Sequence, residues 1–438
     1  MHGDIAAILA ELPALVAEQT LPTPMTLAPA TSNASYEPKG VVLVLSPWNF
    51  PFSLSLGAVN AALAAGNCVV LKPSDHTPTC SALLAKLLPQ YIDPDALAVV
   101  EGDAAVARAL LDHRFDHVFF TGGAAIGRVV YQAAAAHLTP CTLELGGSNV
   151  AYVHDDIDVH LAARRLLHGA LTNAGQFCCG LDTALVHRST LEPLLAALKA
   201  TLIAWYGDDP KASSSLGRIV NTRHASRIKA MLEPSSHGGT FVAGGEVDVG
   251  ARYVAPTIVL SPRAGSTLLE DETFAPILCI VPVDGVDDAI AFSAERPTAL
   301  CKYVFARSKA VADEYLRNVR AGMACVNDCM FQGGNPAVPF GGLGASGFGA
   351  YHGIQGVKLL SHYCGVLRQP SSSLLDPPFR YPPYTPMKTR LLAFVLSHQP
   401  PGWATSLAAG VRSLAYPALV AASFWLGGVA HDTSRARL

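Results

Sequence analysis

The sequence predicts an α/β protein with two successive domains, each built around a parallel sheet. Short apolar runs alternate with helical patterns through both halves of the 438 residues. This alternation is typical of parallel strands with helices on both faces of the sheet. Half of the residues are hydrophobic and 15% are charged, so the chain has enough apolar surface for more than one core.

The first sheet is predicted from short apolar runs that have the length of buried strands. These strands are expected at 41–46, 68–72, 96–100, 117–121 and 141–145. The stretches between them predict helices at 55–65, 79–88, 103–111 and 126–137. The first 19 residues predict a further amphipathic helix. They do not predict a signal peptide, because acidic residues come early and no basic segment precedes an apolar stretch.

The alternation begins again at residue 149 and predicts the second domain. Its strands are expected at the segments VAYV, IVLS, PILCIVPV, KYVFA and MACVN. The glycine-rich stretch 333–356 is expected to loop back toward the functional site, and the Pro/Ser-rich stretch after residue 369 to wrap or link. We therefore divide the chain into 1–148, 149–340, 341–370 and 371–438.

Charge and cysteine content exclude two kinds of site. The net charge is −3 and no basic run is interleaved with aromatic residues, so nucleic acid is not an expected partner. The ten cysteines form no C-x-x-C pair and no cluster with histidine at zinc-ligand spacing, so no metal site is expected. Scattered thiols of this kind are typical of a reducing compartment.

Glycines follow the predicted strand 117–121, at the kind of strand end where open α/β sheets bind ligands. Gly122, Gly123 and Gly127 lie between this strand and a helix, where glycines let a dinucleotide pyrophosphate approach the helix N-terminus. Position 124 is alanine, so the G-x-G-x-x-G pattern is incomplete. A tight turn without a ligand is the alternative.

Polar side chains lie at three other strand ends. Glu144 ends an apolar strand, where a carboxyl group is costly unless it is functional or paired in a salt bridge. Asn49 in SPWNFP can direct its amide at a developing oxyanion or simply form a turn. Lys72 and Asp75 in KPSD can bond ribose hydroxyls, and the acid disfavours a 2′-phosphate; solvated loop charges are the alternative.

The adjacent thiols of Cys178 and Cys179 complete the set of candidate groups, although small buried cysteines are also ordinary core residues. With GQFC, the signals above match one family. Residues 38 to about 365 resemble the aldehyde dehydrogenases of the class 3, fatty-aldehyde-like branch. The resemblance lies in PWNFPF, AAGNCVVLKPSD, FFTGGAAIGR, HLTPCTLELGG, NAGQFC, RYVAPTIV, EDETFAP, PFGGLGASGFGAYHG and RYPP, which occur in the order and at the spacing of the family.

The resemblance implies a covalent mechanism. The family's nucleophile is the cysteine two residues after the glutamine of G-Q-x-C, which is Cys178, whereas Cys179 is expected to pack. The thiolate attacks the aldehyde, and the Asn49 amide and the Cys178 N–H hold the oxyanion. Hydride passes from the thiohemiacetal to NAD(P)+, and Glu144 then activates water to hydrolyse the thioester to the carboxylic acid.

The resemblance also implies how the chain binds its cofactor, NAD with NADP as the alternative. It assigns 1–148 to a Rossmann-type NAD(P)-binding domain and 149–340 to the catalytic thiol domain, and it places Asn327 at the active site. A bridging arm for a homodimer is expected from strands near 27–40 and 350–365. The predicted cofactor-binding residues are Ser46, Trp48, Lys72, Ser74, Asp75, Thr121, Gly122, Gly123, Ile126, Gly127, Leu145, Gly146, Glu272 and Phe274.

The sequence departs from the family at several positions. The lysine of the family's ELGGK is Ser148, the glutamate after KPS is Asp75 and the glycine of E-x-F-G-P is Ala275. The family also carries two helices ahead of the segment that matches here. A non-catalytic scaffold and a CoA-acylating dehydrogenase are therefore the alternatives. The retained catalytic set argues against the first, and Glu144 as water activator argues against the second. Medium- or long-chain aliphatic or aromatic aldehydes are the expected substrates.

The C-terminal tail predicts a membrane anchor. Residues 413–430 carry no charge, and about 18 apolar residues is the lower limit for a bilayer-spanning helix. The fatty-aldehyde branch often ends in such an anchor after RYPP, here 380–383. We expect a membrane-associated protein with a cytosolic catalytic body, for which the endoplasmic reticulum is one candidate membrane. A cytoplasmic protein whose tail packs on itself or on a partner subunit is the alternative.

Deleting residues 413–438 tests the anchor. The full-length chain should sediment with membranes and be released by detergent, whereas the deletion variant should stay in the high-speed supernatant, because it lacks the apolar run that a bilayer would bury. Full-length protein in the supernatant without detergent would contradict the prediction.

Overall fold

The computed structural model describes residues 2–24 and 27–397, and these residues divide into two units. One unit holds residues 2–12 and 38–361, and the other holds residues 13–24, 27–37 and 362–397. The predicted anchor at 413–430 lies outside the described residues. Among the residues that are described, no helix is long and apolar enough to cross a membrane.

The strands and helices are numbered here in chain order. The strands are β1 (Gln19–Leu21), β2 (Thr31–Pro38), β3 (Val41–Leu45), β4 (Cys68–Lys72), β5 (Leu97–Val99), β6 (His117–Gly122), β7 (Cys141–Leu145), β8 (Val150–Val153), β9 (Thr183–His187), β10 (Thr240–Ala243), β11 (Val247–Asp248), β12 (Tyr253–Val254), β13 (Thr257–Leu260), β14 (Ile277–Val283), β15 (Ala299–Phe305), β16 (Ala321–Val326), β17 (Gly347–Phe348) and β18 (Ser361–Arg368). The helices are α1 (His2–Val16), α2 (Ser53–Ala64), α3 (Pro78–Leu87), α4 (Ala104–Leu111), α5 (Ala124–Ala136), α6 (Val159–Leu171), α7 (Leu191–Tyr206), α8 (Thr222–Met231), α9 (Pro234–His237), α10 (Thr267–Glu270), α11 (Val286–Ala294), α12 (Lys309–Asn318), α13 (Gly353–Leu359) and α14 (Pro386–Ser397).

The first sheet confirms the strands predicted from the apolar runs. Its order is β17-β7-β6-β3-β4-β5, and all neighbours are parallel except β17 and β7. From β3 onward the chain adds strands on one side and then returns to add β6 and β7 on the other. The loops after β3 and β6 therefore flank the point where the strand order reverses, which is where such sheets bind ligands.

The second sheet contains seven strands in the order β10-β13-β14-β9-β8-β15-β16. It includes all five of the predicted strands in this half. Its central strand β9 was not predicted, although four of its five residues are buried. A short, fully buried run has no alternation that separates it from a loop or from a helix segment, and β9 directly follows the cysteine loop.

The glycine-rich stretch reaches the end of β7, as predicted. Gly347 in β17 pairs with Glu144 in an antiparallel register and has a φ of +115°. A Cβ atom on this glycine would lie 1.8 Å from the Leu143 carbonyl oxygen. Any larger residue would push the two strands apart, so Gly347 sets how closely this loop approaches Glu144.

The unit that holds residues 13–24, 27–37 and 362–397 contains a three-stranded sheet in the order β1-β2-β18. The strand expected near 27–40 is β2. The strand expected near 350–365 begins only at Ser361, because residues 353–359 form the helix α13. The expected range therefore covers the helix, which buries Ile354 and Val357, and the first residues of the strand.

Candidate active site

The strand ends of the first sheet line a cavity of about 250 Å³. Eleven of the residues predicted from the sequence lie around it, together with three that were not predicted. The lining residues are Pro47, Trp48, Asn49, Thr121, Gly122, Gly123, Glu144, Leu145, Gly146, Cys178, His224, Arg227, Glu272 and Phe274. The three predicted catalytic residues, Cys178, Glu144 and Asn49, are therefore brought together in one cavity.

Glu144 is a buried carboxyl group without a hydrogen-bond partner. Its side chain is 3% exposed, and neither of its oxygen atoms has a partner among the described residues. Burial raises the pKa of Glu144 well above its usual range, and the neighbouring thiols of Cys178 and Cys301 act in the same direction. A structural salt bridge was the alternative for this residue, and no ion pair to it is found among the described residues.

The two adjacent thiols lie in different surroundings. Cys178 is half-buried and lines the cavity, whereas Cys179 is completely buried. The pKa of Cys179 is raised by hydrogen bonds to the thiols of Cys178 and Cys301 and by burial. Only the first of the two thiols is therefore presented to a molecule in the cavity.

The cysteine loop is tied to the loop that follows β3. The Asn49 amide donates to the Gln176 carbonyl at 3.1 Å, and the Asn173 amide donates to the Asn49 carbonyl at 3.0 Å. Asn49 and Cys178 both line the cavity. These bonds hold the loop after β3 of the first sheet against the cysteine loop, which precedes β9 of the second sheet.

The cavity continues along the N-terminus of α5. Gly123 caps this helix without a side-chain hydrogen bond, so the first amides of the helix are free to meet an anion. The Glu272 carboxyl, which also lines the cavity, lies against Gly146, where a Cβ atom would be 2.1 Å from Oε2. Burial raises the pKa of Glu272, and Asp182 adds to this effect. The buried Oε1 atom of Glu272 has no hydrogen-bond partner in the part of the chain that the structure describes.

Helix α8 contributes two cavity residues that were not predicted from the sequence. His224 packs against Trp48, with ring centres 5.6 Å apart, and Trp48 meets Phe274 edge-to-face at 5.4 Å. Arg227 donates to the Thr273 carbonyl at 2.5 Å. Both residues lie on a polar helix that is typical of a solvated surface, so no signal in the sequence separates them from ordinary exposed charges.

Seven predicted residues do not line the cavity. The Lys72 ammonium group is buried and donates to the Pro73 carbonyl at 3.0 Å, and Ser46 bonds Ser55. The side-chain amide of Asn327 accepts a hydrogen bond from the Ala306 N–H and donates one to the Ala306 carbonyl. The others are near the strand ends or on α5: Ser74, Asp75, Ile126 and Gly127.

A second cavity of about 440 Å³ is lined by Phe177, the residue before the thiol, and by three more aromatic side chains, Phe50, Phe340 and Tyr351. Phe50 directly follows Asn49, and Phe177 directly precedes Cys178. Their rings meet edge-to-face, with ring centres 4.8 Å apart. Phe340 packs against Tyr351 and His352 on another wall, with ring centres 5.4 and 4.9 Å apart. Cys178 lines the first cavity, and its neighbour in the chain, Phe177, lines the second.

Comparisons with known proteins agree on one family. The Aldehyde dehydrogenase family pattern matches residues 3–365. The chain is 42% identical to Aldehyde dehydrogenase family 3 comG of Dictyostelium discoideum over 87% of this chain and 80% of that protein. Its fold is similar to the substrate-bound Staphylococcus aureus AldH (34% identity, TM-score 0.84, 89% and 84% covered). It is also similar to a Mycobacterium tuberculosis aldehyde dehydrogenase complexed with NAD+ (28% identity, TM-score 0.75, 84% and 77% covered).

Proposed function

The chain belongs to the aldehyde dehydrogenase family and oxidises aldehydes to carboxylic acids with an NAD-type cofactor, and we propose that Cys178, Glu144 and Asn49 carry the reaction. The observation that supports this assignment is the half-buried Cys178 in one cavity with the unpartnered carboxyl of Glu144. The scaffold and CoA-acylating alternatives find no support in the comparisons.

The cavity fits a dinucleotide on three counts. The uncapped N-terminus of α5 suits a pyrophosphate, the buried Glu272 oxygen without a partner suits a ribose hydroxyl, and Trp48 and Phe274 offer aromatic walls. Thr121, Gly122 and Gly123 would hold the phosphates, and Gly146 and Glu272 would hold the nicotinamide half. When bound, the cofactor accepts a hydride from the substrate carbon.

Cys178 attacks the aldehyde carbon as the thiolate, which is the nucleophilic form of a cysteine. The Asn49 amide, which lines the same cavity, stabilises the oxyanion that forms, and one such donor typically contributes about 10²–10³ in rate. Cys179 takes no part, because it is completely buried.

Glu144 activates the water that releases the acid from Cys178. A general base works best when its pKa lies near the working pH, and burial raises the pKa of Glu144 in that direction. Because neither oxygen is held by a donor, the carboxyl can turn toward a water molecule without breaking a hydrogen bond. This freedom would be lost in a salt-bridged structural carboxylate.

The aromatic cavity beside Phe177 is proposed as the aldehyde site. Its walls of Phe50, Phe177, Phe340 and Tyr351 favour apolar aldehydes, since aromatic side chains bind apolar groups and offer few hydrogen bonds. NADH production by the purified chain against short, long-chain and aromatic aldehydes tests this preference. We also propose a homodimer that pairs through the sheet of β1, β2 and β18.

Replacing Cys178 and Cys179 in turn tests the nucleophile. C178A should lower aldehyde oxidation by at least about 10³-fold, because no other group can form the thioester. C179A should retain most of the wild-type rate, and it serves as the matched control because it removes a thiol from the adjacent position. Steady-state NADH formation measures both. An inactive C179A beside an active C178A would reverse the assignment.

Replacing Glu144 by glutamine should separate the two halves of the reaction. E144Q should keep a single-turnover burst of NADH but lose about 10²–10⁴-fold in steady-state turnover, because only release of the acid needs a general base. In the wild type this release should speed up as pH rises through the raised pKa of Glu144, since the base is the ionised form. E144Q should lose that rise. Stopped-flow NADH absorbance at several pH values measures both the burst and the steady-state rate. Loss of the burst in E144Q would contradict the assignment of Glu144 to acid release alone.

We also propose a preference for NAD over NADP, based on Asp75. This half-exposed carboxyl follows β4, where an acid repels a 2′-phosphate. The preference is measured as kcat/KM with NAD divided by kcat/KM with NADP. D75S should lower this ratio about tenfold, which corresponds to ~1.4 kcal/mol. D95S is the control, because Asp95 is an acid ahead of β5, at the opposite end of the parallel strands. An unchanged ratio in D75S would remove the argument.

A further inference from the structure

Two adjacent cysteines follow Gln176, yet only one of them faces the cavity. Which thiol does so depends on how the peptide units of the cysteine loop are turned, because successive side chains point in different directions from the backbone. In a loop without helix or strand pairing, this orientation has to be fixed by other contacts. The contacts that hold the carbonyl groups of residues 178–180 therefore set which thiol faces the cavity.

All three carbonyl groups are held by buried side chains from elsewhere in the chain. The Asn149 amide donates to the carbonyls of Cys178 and Gly180, both at 2.7 Å. The Tyr303 hydroxyl donates to the Cys179 carbonyl at 2.6 Å. Because consecutive carbonyls are bound from fixed points, the peptide units on both sides of Cys179 cannot rotate.

Asn149 is itself fixed on all sides. It is completely buried, its Oδ1 atom accepts from the Cys301 N–H at 2.7 Å, and its own N–H donates to Asp182 at 3.0 Å. All hydrogen-bonding groups of its side chain are therefore used. Such a fully satisfied buried amide holds one geometry, since any rotation leaves polar groups unpaired.

We propose that Asn149 is the positioning residue of the nucleophile: its amide, bound to the carbonyls on either side of Cys179, selects Cys178 as the thiol that faces the cavity. Asn149 does not line the cavity and acts only through the loop. The proposal rests on Cys178 as the proposed nucleophile, but the placement of the two thiols can be measured without any turnover.

The chain offers a matched control in Asn67. This buried asparagine also donates to two carbonyls, those of Ala62 and Leu360, at 3.0 and 2.9 Å, and accepts one backbone N–H, from Gly40, at 2.9 Å. It lies before β4 and contacts no part of the cysteine loop. N149A and N67A therefore lose the same set of hydrogen bonds, and only N149A frees the residues around Cys178.

The experiment is iodoacetamide labelling of the folded full chain, with each thiol quantified by peptide mass spectrometry. In the wild type and in N67A, Cys178 should be labelled and Cys179 protected. In N149A, the ratio of Cys178 to Cys179 labelling should fall at least about tenfold, because the loop can rotate. The NADH burst should slow by about 10–100-fold, the usual effect of a misplaced reacting group. The KM for NAD should stay within about threefold, because the Asn149 side chain does not contact the cofactor cavity.

If either alanine variant fails to fold, N149D and N67D replace the pair, since they keep the shape and the accepting oxygen but remove the amide donors. An unchanged labelling ratio in N149A or N149D overturns the proposal, and so does an equal loss of selectivity in the Asn67 variants. Failure of the proposed function would show differently: a wild type that does not oxidise aldehydes leaves the labelling arm intact, and that arm alone then decides the role of Asn149.

Discussion

The buried, unpartnered carboxyl of Glu144 is the constraint on which the rest of the site depends. A carboxyl group in an apolar strand costs free energy in its ionised form, and here no donor offsets that cost. Its pKa is raised above the value in the unfolded chain. The fold therefore loses stability as pH rises from the unfolded pKa toward the folded one. The surrounding sheets have to supply that stability. They do so through strands buried on both faces, such as β3, β7 and β8.

The same constraint explains why the loops around Glu144 are tied to one another. Gly347 approaches the strand closely, and Cys178 of the cysteine loop lines the same cavity as Glu144. Asp182 joins this loop to the segment of Glu272, because its carboxyl accepts both the N–H and the hydroxyl of Thr273. The thiol and the proposed ribose-binding acid thus share one buried anchor. A shift in either loop would be transmitted to the other.

The sequence predicted the parts of the fold that local patterns determine. Strands β3, β4, β6 and β7 are apolar runs that end beside polar or glycine residues. Glu144 and Asn49 are candidates because they lie at strand ends, whereas the role of Cys178 is implied by the resemblance to the family. Contacts between distant segments were beyond such patterns. Asn149 lies 29 residues from Cys178 and 152 from Cys301, and Arg227 lies on a helix with an ordinary polar composition. These roles become visible only when the chain is folded.

Hydrogen-bond partners distinguish two kinds of buried acid in this protein. Asp182 and Glu144 are both buried, and burial raises the pKa of both, for Asp182 to about 6. Asp182 accepts three hydrogen bonds, from Asn149 and Thr273, which oppose the effect of burial and fix its position. Glu144 accepts none from residues 2–24 and 27–397, which the structure describes. An acid held by three donors cannot turn toward a water molecule without leaving them unpaired, so it suits a fixed anchor. An acid without donors can reach a water molecule at no such cost. The two roles follow from partners and not from burial.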